Sequence, residues 1–412
     1  MKYVLGAQCV KCGREYDAVP DLTTCSCGGI LDIVYDYAAI RRDVSPRDLE
    51  DCRDYSMWRY RPFLPVEADS APTPLRVGWS PLYPAPRLAR ALGLKALYLK
   101  DDGQNPTASL KDRASALAVV KAREAGADTI ACSSTGNAAS SLAGNAAAAG
   151  LSTYIFVPSR APKGKVAQLR IFGSTVISVD GSYEDTFALS KAAIDRWGWY
   201  NRNAAVNPYL SEGKKTVTLE ILEQLGWRTP DYIALSVGDG CTIAGAWKGL
   251  KDLYAAGFIE RLPRLISVQA QGCCPLNRAI QTGTPWTPMA ENTLADSIAV
   301  GVPRNPDKAL NAIRESDGIA VNVSDDEILA AMRLLGRTQG VFGEPAGVTG
   351  TAGVKKALEL GLISPDSTVV SIVTGNGLKD VQNGIRAAGE PMLVRPELDA
   401  LLDAFASHGI AP

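Results

Sequence analysis

From about Leu75 onward the chain alternates between two kinds of segment, and this alternation limits its fold more than any other feature. Short β-prone runs, "ALYLKDD", "TIACSS", "STYIFVP", "STVISV", "YIALSVG", "RLISVQA" and "STVVSIV", are separated by alanine- and leucine-rich stretches. The runs are nearly continuous in apolar residues, which predicts strands buried on both faces. The stretches between them are long enough for helices that cross over between parallel strands. The expected class is α/β, with two α/β domains on parallel-rich sheets, and the 412 residues allow two or three domains. In such sheets ligands bind beyond the carboxyl ends of the strands, where turns lead into helices.

Four turns of this kind carry unusual sequence. In "NPTASLKDRA" Lys111 falls in the apparent first turn of a helix, where free backbone N–H groups and the positive dipole end disfavour an ammonium. Such a lysine is either a surface accident or one whose pKa is held down for chemistry. "SSTGNAASSLAG", Ser133 to Gly144, offers hydroxyls and N–H groups at a helix opening, which suits an amino-acid carboxylate as well as an ordinary N-cap. "SVGDGCTIAG" aligns backbone N–H groups from Gly238 to Thr242 that can cradle a phosphate, without the Walker lysine or full dinucleotide spacing. In "SIVTGNGLKD" Thr374 ends a β-prone run, and Gly375 and Gly377 permit close backbone approach. A phosphate cradle, a carboxylate cradle, a hydroxyl at a strand end and a low-pKa lysine together fit one cofactor, pyridoxal phosphate.

Composition narrows the partners. With 43 basic and 44 acidic side chains the net charge is -1, which offers no bulk attraction to nucleic acid or an anionic membrane, and points to a small amino-acid ligand. No apolar run approaches the roughly 18 to 20 residues of a membrane helix, and "MKYVLGAQCVKCG" turns polar too soon for a signal peptide, so a cytoplasmic protein is expected. The single histidine, His408, lies in the tail, which excludes histidine acid–base or triad chemistry. Of the nine cysteines, Cys52, Cys132, Cys241, Cys273 and Cys274 read as reduced, mostly buried thiols. The other four form "CVKC" at Cys9 and Cys12 and "CSC" at Cys25 and Cys27, spaced like a zinc ribbon. This knuckle is either a structural zinc site or an empty remnant, and four thiolates leave no position open for catalysis.

From about Gly78 to Asp380, "NPTASLKDR", "SSTGNAASS", "VNPYLSEGKKT", "VGDGCTIAGAWKG", "SIAVGVPR" and "VTGNGLKD" occur in the order in which similar motifs occur in threonine synthases. The chain thus resembles threonine synthase and its fold type II (tryptophan synthase β-like) pyridoxal phosphate relatives, and the knuckle resembles N-terminal segments of some threonine synthases. The resemblance implies that Lys111 carries the Schiff base, that Asn137 contacts the ring 3′ oxygen, and that Gly238, Asp239, Gly240, Cys241 and Thr242 surround the cofactor phosphate. It also implies that Thr374 faces the pyridine nitrogen, that Ser134 and Thr135 hold the substrate carboxylate, and that the protein is a homodimer. The expected organisation is a knuckle at 1–36, an arm at 37–73, a large cofactor-binding domain at 74–125 and 205–395, a small mobile domain at 126–204 and a tail at 396–412.

The expected function is a lyase of the threonine synthase type, eliminating and replacing a γ-substituent of an amino acid. The alternative is β-elimination or β-replacement, like serine/threonine dehydratase or cysteine synthase. The choice turns on a departure from the family pattern. Where threonine synthases usually present Asn, Ser and Arg to the phosphate of O-phosphohomoserine, this chain has Ala204, Ala205 and Leu210. Asp239 also replaces a usual asparagine, and a carboxylate between two phosphates is expected to repel them. Ala108 and Leu110 stand where Gly and Phe are usual. These changes predict a leaving group smaller or less charged than phosphate, unless Lys163, Lys165, Lys214, Lys215 or Ser211 supplies new donors.

Overall fold

The computed structural model describes residues 1–161 and 163–410; Pro162, Ala411 and Pro412, which fall in the expected small domain and tail, lie outside the described residues. Each of the quoted β-prone runs contains a strand: Ala96–Asp101, Thr129–Ser133, Ser152–Pro158, Thr175–Val179, Tyr232–Ser236, Arg264–Ala270 and Thr368–Val373. They divide between two sheets. The larger has six strands in the order Ile319–Val323, Arg264–Ala270, Tyr232–Ser236, Thr368–Val373, Ala96–Asp101, Leu82–Pro84, and only the last pair is antiparallel. The smaller has four parallel strands, Thr175–Val179, Ser152–Pro158, Thr129–Ser133 and Tyr200–Asn201. Central strands such as Tyr232–Ser236 are buried throughout, which is why they read as unbroken apolar runs.

Two helices pack between these sheets. In Lys111–Glu124 every residue from Asp112 to Ala122 is buried, and in Tyr209–Gln224 every residue to Glu223 is buried. A helix enclosed on all sides keeps its charged side chains only if they find partners. The two approach closely because Gly213 sits against the backbone of Arg113 and Ala114, where a Cβ has no room.

The N-terminal residues form a third, antiparallel sheet, Glu15–Tyr16, Val4–Cys9, Leu31–Tyr35. Its Leu31, Ile33 and Tyr35 share one core with Leu222, Trp247 and Leu250 of the larger unit. The aromatic segment "MWRYRPF" is a 3-10 helix, Met57–Phe63, whose Met57, Trp58, Tyr60 and Phe63 enter the same core. Among the described residues, no helix is long and apolar enough to cross a membrane.

Candidate active site

Lys111 is placed by a short pairing of two loops. Leu110 donates its N–H to the Thr374 carbonyl at 2.9 Å, Asn376 donates to the Ala108 carbonyl at 3.0 Å, and Ser109 bridges Gly375. The strand end at Thr374 and the helix start at Lys111 therefore face one cavity. Asp112 fastens the loop from behind: its carboxylate accepts the Thr107 N–H, the Thr107 hydroxyl and the Asn145 amide, each at 2.8 Å. Burial pushes Asp112 up to about 6 despite those donors. Ala108 has φ of 65°, a left-handed backbone that explains why glycine is usual there.

The cavity has two depths and a side branch. The inner part, about 70 Å³, is lined by Lys111, Asn137, Arg202, Ala204, Lys214, Gly238, Asp239, Gly240, Cys241, Thr242, Glu344 and Thr374. The outer cleft, about 500 Å³, shares Asn137, Ser297 and Glu344 with it and adds Thr135, Gly136, Lys165 and Lys379. The side branch, about 80 Å³, is lined by Ser133, Ser134, Arg202, Ala204, Asp239 and Arg304 among others. Every residue that the sequence assigns to the cofactor or to the substrate carboxylate thus lies on one connected set of walls.

The residues present fit pyridoxal phosphate. The helix Cys241–Ala255 opens at the inner cavity with no side-chain cap, so its first N–H groups are free for an anion. The turn before it requires glycine: Gly240 has φ of 86°, and a Cβ on Gly238 meets the Ile298 Cα at 2.8 Å. Ser236, on the same wall, has a buried hydroxyl with no partner. Above all the inner cavity is cationic. Burial lowers the pKa of Lys111, brings Lys214 down to about 8 and lowers Arg202, and the carboxylates of Asp239 and Glu344 only partly offset this. Three cations without full countercharge are a costly arrangement unless an anion completes it.

The structure revises two expectations. Asp239 does not stand between anions alone; its carboxylate accepts the backbone N–H of Arg304 at 3.2 Å, and it lines the side branch together with Arg202 and Arg304. Nor is the wall around Ala204 apolar, because Arg202 and Lys214 line the inner cavity with it, and Arg202 and Arg304 line the side branch. Of the replacements considered, Lys214 lines the inner cavity and Lys165 the outer cleft, whereas Lys215 turns away to Glu212 and Asp252 at 2.5 and 2.6 Å. Arg202 and Glu344 were missed. Arg202 follows a two-residue strand, Tyr200–Asn201, and Glu344 of "GEPAG" stands at the start of the helix Pro345–Glu359, so neither is marked by a motif. Glu344 accepts the Asn137 amide at 2.6 Å, and burial pushes it up to about 7.

At the opposite end of the chain the four knuckle cysteines converge, with all Sγ atoms within 4.8 Å of one another. Cys9–Cys27 and Cys12–Cys25 are 3.6 Å apart and Cys27–Cys12 is 3.5 Å, far too long for disulfides. A tetrahedral ion with metal–sulfur bonds of about 2.3 Å has sulfur–sulfur edges of about 3.8 Å, close to this spacing. Tyr16 donates its hydroxyl to the Cys25 sulfur at 3.0 Å, the kind of outer contact that orients a thiolate ligand. The remaining cysteines are free, and all but Cys52 are buried.

Sequence and structure comparisons agree with the geometry. The family described as pyridoxal-phosphate dependent enzyme matches residues 74–375, and the chain belongs to it. The threonine synthase of Methanosarcina acetivorans is 41% identical over 402 residues, 97% of this chain and 98% of that protein. That of Methanocaldococcus jannaschii is 39% identical over 397 residues, 96% of this chain and 98% of its own. Within its family the protein is thus a pyridoxal-phosphate-dependent lyase of the threonine synthase type. Its fold is that of fold type II enzymes: threonine deaminase isoform 2 of Solanum lycopersicum superposes with a TM-score of 0.65 at 21% identity, covering 75% of this chain and 87% of that one.

Proposed function

We propose that the protein converts O-phosphohomoserine to threonine, with Lys111 as the residue that carries the cofactor. The observation that carries the choice of substrate is the convergence of Arg202, Arg304 and Lys214 around Ala204. Two phosphate groups, one from the cofactor and one from the substrate, match this excess of positive charge better than one.

When bound, pyridoxal phosphate supplies an electron sink for the carbon bearing the substrate amine. The chain's own residues direct that chemistry. The N–H groups of Gly238, Asp239, Gly240, Cys241 and Thr242 and the Lys214 ammonium would hold the cofactor phosphate, and Asn137 would hold the ring oxygen. Thr374 presents a neutral hydroxyl to the ring nitrogen, so it does not enforce a proton there, and this favours elimination and replacement over transamination. Ser134, Thr135 and the start of the helix Asn137–Ala149 hold the substrate carboxylate. Lys111, its pKa lowered by burial, takes and returns protons at Nζ, and Glu344 near 7 has both protonation states at hand beside it. The knuckle Cys9, Cys12, Cys25 and Cys27 holds a structural zinc, and the enzyme acts as a cytoplasmic homodimer on family analogy.

Steady-state turnover of O-phosphohomoserine beside homoserine, serine, threonine and their acetylated derivatives tests the reading. O-phosphohomoserine is expected to give threonine with the highest kcat/KM. Arg202→Met is expected to lower that value about 10- to 100-fold, as loss of a charge-assisted contact of roughly 1.5 to 3 kcal/mol requires, and to leave acetylated substrates nearly unchanged. If serine, threonine or an acetylated amino acid is turned over fastest, the β-elimination alternative replaces this one.

A further inference from the structure

The cysteine knuckle and the cationic wall belong to distant parts of the sequence, yet hydrogen bonds tie the loop between the cysteine pairs to the turn that carries Arg202. The segment between the two cysteine pairs, residues 13–24, presents two carbonyl groups to the body of the enzyme. Val19 accepts the Tyr209 hydroxyl at 2.6 Å, and Pro20 accepts the Tyr200 hydroxyl at 2.9 Å. Tyr200 in turn accepts the Asn207 amide at 3.1 Å; Asn207 also donates to the Asn201 carbonyl at 3.0 Å and accepts the Tyr209 N–H at 2.9 Å. Asn203 accepts the Ser133 N–H at 2.8 Å, which ties the same turn to the strand end before Ser134. Arg202 and Ala204 are the cleft-lining residues of this turn, and Lys214 follows on the helix Tyr209–Gln224. The start of that helix is held a second time by the N-terminal sheet, where Tyr35 donates to Glu212 at 2.5 Å.

Besides the cysteines, the half-buried Tyr16 and Leu22 pack the 13–24 segment against the main core. Its only strand is Glu15–Tyr16, and its other backbone bonds are local, such as Leu22 to Val19 at 3.1 Å. The turn it supports is under strain, since Ala205 has φ of 61°, a left-handed conformation that a non-glycine residue keeps only when its surroundings impose it. Lys111, by contrast, is fixed by Thr374, Asp112 and Asn145, none of which touches the knuckle.

We propose that the metal bound by Cys9, Cys12, Cys25 and Cys27 is a positioning element for the cleft: it holds Val19 and Pro20 against Tyr209 and Tyr200, and so sets where Arg202 and Lys214 meet an anion. The proposal rests on reading the knuckle as a metal site. Because the knuckle braces the anion wall and not Lys111, its loss acts on ligand binding more than on turnover.

The test uses holoenzyme as purified, its zinc content measured, and the same protein after chelation under reducing conditions. The readouts are KM and kcat for O-phosphohomoserine and the inhibition constant of inorganic phosphate. Stripping the metal is expected to raise both KM and the phosphate inhibition constant about tenfold, the effect of losing one or two hydrogen bonds' worth of alignment, with kcat changed less than about threefold. The double variant Tyr200→Phe/Tyr209→Phe, which keeps every cysteine, is expected to retain zinc and shift the same constants in the same direction. Fresh protein without metal overturns the knuckle reading itself. Bound zinc whose removal leaves both constants within about twofold overturns only the coupling. If stripping melts the chain, the tyrosine variant decides: full zinc with unaltered constants overturns the proposal, and full zinc with raised constants upholds it.

Discussion

Two groups of buried charges lie at either end of the first turn of the helix Lys111–Glu124, and they are treated in opposite ways. Behind the loop, Arg113 makes paired contacts with Asp102 at 2.7 and 2.8 Å and with Glu220 at 2.6 and 2.8 Å, and Lys100 reaches Glu220 at 2.7 Å. Each charge there has a partner of opposite sign and fixed geometry, and Glu220 is held down at about 2 by Arg113 and Lys100 against the cost of burial. In front of the loop, Lys111, Lys214 and Arg202 share too little negative charge, and burial lowers all three. The first group is complete without a ligand and belongs to the fold. The second is incomplete and belongs to the chemistry. Burial alone does not separate them; countercharge does.

Substitutions on the two sides should break this comparison differently. The largest effect is expected for Lys111→Ala, which removes the residue proposed to carry the cofactor and move protons; activity should fall by about a thousandfold or more while the unfolding midpoint stays near wild type. Near-normal turnover in that variant contradicts the assignment. Next comes Arg113→Met, which leaves Asp102 and Glu220 buried without their arginine and should cost about 3 to 5 kcal/mol of stability by denaturant titration. A variant as stable as the parent shows that the rear group is not the structural half of the pair.

Lys214→Met is expected to behave as the inverse. It removes a buried cation that the apoprotein does not pair, so the fold should survive, while cofactor affinity drops about 10- to 100-fold with the loss of a charge-assisted contact to phosphate. The pH dependence sharpens this. In the folded apoprotein Lys214 has a pKa of about 8, below its ordinary 10.5. Between those values the unfolded chain holds the extra proton, so this residue makes the apoprotein more stable as pH rises through that window. The methionine variant should lack that part of the slope, which parallel apoprotein titrations from pH 7 to 10 measure. The smallest effect is expected at Ala108, whose φ of 65° glycine adopts freely. Ala108→Gly should change stability by less than about 1 kcal/mol, on the stabilising side, since relief of strain slightly exceeds the added freedom of the unfolded chain.

Much of this arrangement was legible in the sequence where local chemistry states its purpose. Continuous apolar runs marked the buried parallel strands, and the strand–turn–helix motifs led to Lys111, Asn137, Gly238 to Thr242 and Thr374, which share one cavity. Edge strands were harder, because Ile319–Val323 alternates buried and half-buried residues and Tyr200–Asn201 is only two residues long. What showed only in part was charge supplied from a distance, since Lys214 was among the donors considered and Arg304 ends the motif "SIAVGVPR". Arg202 carries no motif, and reading Ala204, Ala205 and Leu210 alone suggested an apolar wall. The fold instead brings Arg202 and Lys214 to the inner cavity and Arg202 and Arg304 to the side branch, both lined by Ala204. The tie from Val19 and Pro20 to Tyr209 and Tyr200 was invisible for the same reason, since only tertiary structure puts residues so far apart within reach.

Two lysines with lowered pKa line the inner cavity, and their proposed tasks differ: Lys111 bonds the cofactor and Lys214 holds its phosphate. Reducing the holoenzyme with borohydride fixes the cofactor to the lysine that bears it, and mass mapping of the resulting peptides identifies that residue. The account predicts a single modified lysine, Lys111, with Lys214 unmodified; the cofactor's mass on Lys214, or on no residue of this cavity, contradicts it.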